Sequence, residues 1–203
     1  LQQGGDAELA GQSVIWGDPI PFQWDLQPSS PEELGTIVML GPQGDAATEH
    51  PLPDLPLTPG RYDADSRAFV PGVYTAQLHR NLPPPLEIRV QILPVIQVET
   101  HALENEDWVV TVSLPAGADQ IWIQIGEHRH LIPGGPYAPG SAVLRIPKGK
   151  IPDGVAKIEF IAERNEVESL PDTLSLDLNS PCQGADCSRS YRHVAPRCSC
   201  HKY

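Results

Sequence analysis

What this chain lacks narrows its class before any motif is read. No apolar run approaches the ~20 residues that a membrane-spanning helix needs. The densest stretch, 88–98, is broken by Arg89, Gln91, Pro94 and Gln97. Aromatic residues make up only 6% of the sequence, so any core must be built mainly from aliphatic side chains. Cations are scarce: 14 Lys and Arg against 26 Asp and Glu leave a net charge of −12. A nucleic-acid binder draws much of its affinity from a basic face, and no such face is visible, so nucleic acid is not an expected partner. The acidity serves solubility or, as an alternative, cation binding. No segment carries a sustained 3.6-residue apolar stripe with caps, so little helix is expected. G-x-S-x-G, H-E-x-x-H and glycine-rich phosphate loops are all absent. We expect no catalytic residues and no enzyme.

What is present is a strand grammar. The 23 prolines and 17 glycines alternate with short apolar runs, so they read as turns. Leu86, Ile88, Val90 and Ile92 alternate with polar residues, as do Trp108, Val110, Val112 and Leu114. The same period holds for Ile121, Ile123 and Ile125, for Ala156, Ile158, Phe160 and Ala162, and for Leu174, Leu176 and Leu178. One apolar and one wetted face is what an antiparallel sandwich strand requires. The first half is less tidy. Phe22, Trp24 and Leu26 share a face, 37–40 is apolar, and Tyr74, Ala76 and Leu78 share another face. The Pro-rich stretch 41–70 reads as a long loop holding one or two short edge strands.

Pro94 separates two strand-like runs, and the pattern restarts after it. The expected fold is all-β: two tandem Ig-like antiparallel sandwiches, 13–93 and 94–178, with an N-terminal extension at 1–12 and a Cys-containing tail at 179–203. So short a linker predicts a semi-rigid pair.

Pro71-Gly72-Val73-Tyr74-Thr75-Ala76-Gln77-Leu78 resembles a late strand of extracellular Ig-like domains, including the PKD type. In that group a Pro-Gly turn leads into a strand whose tyrosine anchors the sandwich corner. Phe22-Gln23-Trp24-Asp25 resembles the Trp-Asp strand of the same group, although Leu26-Gln27-Pro28-Ser29 replaces the usual Gly-Asp-Gly turn. Ala156 stands where the second tyrosine would be, so the second half is more similar to fibronectin-III-like or bacterial Ig-like domains. The resemblance implies a fold, and this fold hosts many functions.

The tail carries Cys182, Cys187, Cys198 and Cys200, with His193 and His201 nearby. Disulfides are the first reading, because an even cysteine count staples short, core-poor segments of exported proteins. A Cys198–Cys200 bond would be strained, so each is expected to pair with Cys182 or Cys187, within or between chains. Zinc or copper held by these thiolates and imidazoles is the second reading, although C-x4-C and C-x-C-H do not match paired C-x2-C knuckles. Haem is the third, but Cys198-Ser199-Cys200-His201 falls one residue short of C-x-x-C-H. No cofactor is expected under the first reading.

Elsewhere, His128 and His130 share one face if they lie on a strand, as metal ligands or as an ordinary solvated hairpin. Asp63-Ala64-Asp65-Ser66 resembles the start of a calcium loop but lacks its later Gly and Glu, so a turn is expected. Glu104, Glu106 and Asp107 read as a charged hairpin loop.

The chain begins at Leu1, which fits a processed mature chain or a trimmed one, and the four cysteines favour processing. The expected location is outside the cell or at the cell surface. The expected role is a structural subunit of an extracellular assembly, with copies of itself as partners and other cell-surface proteins as the alternative. An adhesin or binding module, with 41–70 as its surface, is the alternative. Segment 1–11 carries only Leu1, Ala7, Leu9 and Ala10 as apolar side chains, which predicts that a neighbouring chain holds it by strand addition.

Overall fold

A computed structural model of the chain describes residues 11–26, 30, 32–42, 49–80, 84–105, 107–152, 154–155 and 157–176. Among these residues there is no α-helix, only single 3₁₀ turns at Ser66–Ala68 and Lys148–Lys150. No helix is long and apolar enough to cross a membrane. The expectation for 1–11 lies outside the described residues except at Gly11, where the first strand starts.

The first sandwich is built from β1 (Gly11–Ile15), β2 (Pro19–Trp24), β3 (Leu34–Leu40), β4 (Glu49–Pro56), β5 (Gly60–Asp65), β6 (Gly72–His79) and β7 (Leu86–Leu93). One sheet has the order β1-β7-β6-β3-β4, and β2 pairs with β5 in the other. β1 runs parallel to β7, and the remaining pairs are antiparallel. Ile20 and Phe22 from the small sheet pack on Ile37, Met39, Tyr74, Ala76, Val90 and Ile92 from the large one.

The second sandwich comprises β8 (Gln97–Glu104), β9 (Asp107–Leu114), β10 (Gln120–Ile125), β11 (His128–Leu131), β12 (Gly140–Pro147), β13 (Lys157–Arg164), β14 (Val167–Glu168) and β15 (Asp172–Ser175). Its sheets are β12-β9-β8 and β11-β10-β13, with β14 and β15 both pairing with β13. Val110, Val112 and Leu114 face Ile121, Ile123, Ile158 and Phe160 across a core separate from the first.

The two halves share their wiring. In each, the second strand pairs with the fifth (β2–β5, β9–β12), and the third pairs with the fourth and sixth. The chain therefore crosses repeatedly between layers, as in Ig-like and fibronectin-III-like sandwiches. The halves differ in their first strand. β1 lies parallel to β7 at the edge of the large sheet, whereas β8 joins β9 antiparallel.

One expectation needs adjustment. Leu86 shares a face with Ile88, Val90 and Ile92 yet is 41% exposed, because it lines the open end of the first sandwich where the layers part. The stretch 41–70 holds, among the described residues, the two edge strands expected there: β4, which ends its sheet, and β5, which pairs only with β2. The prolines Pro51, Pro53 and Pro56 of β4 are tolerated because an edge strand has one side free of ladder bonds. Ala156 and Leu178 lie outside the described residues.

Candidate functional site

Three features of the surface go beyond holding a core: the junction of the sandwiches, an apolar cleft in the first and a basic flank on the second. The junction forms around Tyr74. Its hydroxyl donates to the Val70 carbonyl at 2.8 Å, closing the tyrosine corner that the resemblance implied. The ring is fully buried, with Phe69 and His50 edge-on at 5.7 and 6.3 Å. From the second sandwich, Asn165 Nδ2 donates to the Pro71 carbonyl at 2.8 Å. Asn165 and Glu166 both have positive φ, 48° and 62°, as a two-residue turn between β13 and β14 requires. The Asn165 amide donates to Asp119 Oδ2 at 2.8 Å, and Arg164 Nη1 donates to the Ala116 carbonyl, so the turn that touches Pro71 is braced from behind.

Burial pushes the Tyr74 hydroxyl up to about 12, against smaller lowering effects from its bond to Val70 and from the Arg164 charge. The unfolded tyrosine ionises near 10 and the folded one does not until about 12, so its stabilising contribution is intact below 10 and is lost as pH rises through that window. Removing the hydroxyl costs about 1 kcal/mol at neutral pH through the lost bond. The Tyr74→Phe variant is therefore expected to be less stable than wild type at pH 8, with the two stability curves crossing between pH 10 and 12. Chemical denaturation across that range checks it, and parallel curves would contradict the buried corner. Burial raises Tyr137 as well, in both proteins alike.

The cleft in the first sandwich encloses about 290 Å³ between Phe22, Trp24, Leu78, Leu86 and Ile88. Trp24 Nε1 donates to the Thr58 carbonyl at 2.8 Å, which fixes the indole at the rim.

The flank of the second sandwich is a groove of about 360 Å³ between β11 and β12, the end strands of the two layers. Arg129, His130, Arg145 and Lys150 line it, and no Asp or Glu does. The Arg129 guanidinium lies 4.4 Å over the Trp122 ring and pairs with Glu168 at 2.7 Å. Arg145 reaches Glu104 only at 3.8 Å and stays 60% exposed. His130 and Lys150 have no ion pair among the described residues.

The sequence-derived candidates distribute as follows. Cys182, Cys187, His193, Cys198, Cys200 and His201 lie outside the described residues. His128 and His130 lie on β11, opposite Ile125 and Ile123, and no group of three metal-ligating side chains forms among the described residues. Asp63 pairs with Arg61 at 2.8 Å, and Asp65 accepts from the Arg67 amide at 3.0 Å. Ser66, fully buried, accepts from the Gly17 amide at 2.8 Å, so this segment is a strand end and a capped turn. Glu104 and Asp107 face each other across the β8–β9 hairpin, whose turn residue Asn105 has φ 48°. His101 packs near Trp108, with ring centroids 6.1 Å apart, and desolvation lowers its pKa. Sequence reasoning did not find the groove, since its cations come from separated strands.

No family model matches the sequence, and no curated protein does. Similar solved structures include the FN1–FN3 domains of chicken CNTN1, at 13% identity and TM-score 0.30. That match covers 84% of this chain and 63% of the chicken one, so the chain spans under two thirds of that structure. Domains 3 and 4 of rat CD4 align over 82% of this chain and 98% of theirs, at 10% identity and TM-score 0.32. Fibronectin(III)-like modules of Clostridium thermocellum CbhA align over 83% and 89%, at 17% identity and TM-score 0.26.

Proposed function

We propose that this chain is a non-enzymatic structural subunit of an extracellular assembly whose copies join through strand edges. The observation that carries the reading is β8. It ends the sheet β12-β9-β8 and, past a register shift between Val98 and Thr100, is exposed along 100–104, where it holds neither proline nor lysine and Glu104 is the one charged residue. Unprotected edges of this kind are templates for pairing with another chain, and proteins that must stay apart blunt them. The first sandwich shows that blunting, with three prolines in β4 and two in β2. At its start β8 is tied down, since the Val98 amide donates to Asp172 Oδ2 at 2.6 Å. The open stretch is therefore 100–104. Export of the chain, and disulfides among Cys182, Cys187, Cys198 and Cys200, belong to the same proposal; zinc, copper or haem on the tail would replace the disulfides if the native protein carried free thiols and stoichiometric metal.

Lysines at two exposed β8 positions test it. Thr100→Lys with Ala102→Lys should change stability little, since both side chains face water. Self-association should weaken at least ~10-fold, because edge lysines oppose strand pairing. Equal association by wild type and variant would remove β8 as the joint. An adhesin or binding module is the second reading, and the basic groove favours it.

A further inference from the structure

We propose that the flank between β11 and β12 is a binding site for an extended peptide of a partner protein, one that alternates apolar and carboxylate side chains and adds as a strand to β12. The site stands independently of whether copies of this chain assemble through β8.

Charge selects the ligand's sign. Asp and Glu outnumber Lys and Arg by 26 to 14 in this chain, yet the groove gathers Arg129, His130, Arg145 and Lys150 and no acid. Lys150 has no ion pair among the described residues, and Arg145 holds Glu104 loosely at 3.8 Å, so these two cations can turn to a new anion with little to give up. Arg129 is fixed between Trp122 and Glu168 and shapes the far rim.

The strands select the ligand's form. β11 and β12 each end a sheet, and among the described residues neither carries a further strand on its outer side. A strand edge offers a row of backbone donors and acceptors that only another extended backbone can satisfy along its length. Along β12 the buried Leu144 and Ile146 alternate with the exposed Arg145. A peptide strand added there has its side chains alternately directed, because the period of a strand is two. Those in register with Ile146 face inward, toward Ile123 and Ile132 beneath the groove, and want apolar groups. Those in register with Arg145 face outward beside its guanidinium, with Lys150 just past the strand end, and want carboxylates. A compact anion such as phosphate would use the cations but leave the isoleucines and both strand edges without a role. A nucleic acid would meet the repulsion of a chain at −12.

The test uses a synthetic peptide of alternating Val and Glu, about one strand long, with a Val/Lys peptide and inorganic sulfate as controls. Titration is performed on wild type and on the Thr100→Lys, Ala102→Lys protein, so that loss of assembly and loss of the site are read separately. We expect the Val/Glu peptide to bind both proteins, to weaken several-fold between low and physiological salt, and to slow hydrogen exchange in β12. Arg145→Glu with Lys150→Glu should weaken it at least ~30-fold without lowering Tm, and the reversed groove should accept the Val/Lys peptide instead. Equal binding of both peptides would overturn the proposal. So would sulfate competing at stoichiometric concentration, which marks a simple anion site, or protection confined to β8. If the groove reversal abolishes self-association of the unliganded chain, the occupant is a second copy and the partner-peptide proposal fails.

Discussion

Ile158→Asp is expected to unfold the second sandwich while leaving the first one folded. Ile158 is 1% exposed on β13, opposite Leu174 of β15, with Phe160 and Ala162 following it on the core side. The substitution removes about 2–3 kcal/mol of apolar burial. It also places a carboxyl among Val110, Val112 and Ile123, where no donor waits, at a further cost of several kcal/mol even if the group stays protonated. Together these rival the ~5–15 kcal/mol by which a whole domain is stable. Calorimetry should lose one melting transition and keep the other. Ile158→Val is the control, expected to cost only about 0.5–1.5 kcal/mol. A soluble Ile158→Asp protein with both transitions in place would refute the assignment of β13 to the core.

Tyr74→Ala is the counterpart in the first sandwich. Tyr74 is the largest of the fully buried side chains, and its hydroxyl closes the corner at Val70. Truncation to Ala leaves a cavity between β6 and β2 and forfeits that bond, for about 3–5 kcal/mol. The corner also holds Pro71, whose carbonyl accepts from Asn165 of the second sandwich. Loss of the corner should therefore lower the first transition by many degrees and the second by a smaller amount. Asn165→Ala should reduce the coupling between the transitions and also lower the second one modestly, by about 1 kcal/mol, because Ala tolerates φ 48° less well than Asn. If Tyr74→Ala melts within a degree or two of wild type, the corner is not what orders that half.

Period-two alternation made β9, β10 and β13 legible, because each has one face on the core and one toward water. The tyrosine corner was legible only through the resemblance of Pro71–Leu78 to a late strand of extracellular Ig-like domains, which implies the anchoring role of Tyr74. Where the pattern failed, tertiary placement was the cause. Leu86 alternates correctly but sits at the open mouth of its sandwich. Ile161 lies out of phase and is nevertheless buried, opposite Trp122 on the outer face of its sheet. The edge strands within 41–70 were expected, but the prolines of β4, which an edge position permits, hid its bounds and its length of eight residues. The groove was invisible for a deeper reason. Arg129, Arg145 and Lys150 each read singly as solvated charges and His130 as a hairpin residue, and only the sheet order, with β11 and β12 at the ends of opposite layers, brings them to one flank. Likewise nothing in the letters Asn165-Glu166 announces a turn that reaches across to Pro71.

The claim on which the functional account rests is that this chain joins copies of itself through β8. Sedimentation velocity of the unmodified chain over a wide concentration range tests it most directly. The account predicts species heavier than one chain whose share rises with concentration: a closed dimer where β8 pairs with β8 of a second copy, and longer chains where β8 takes a different segment of that copy. It predicts their loss in the protein with lysines at Thr100 and Ala102. A single species with the mass of one chain at every concentration would contradict it.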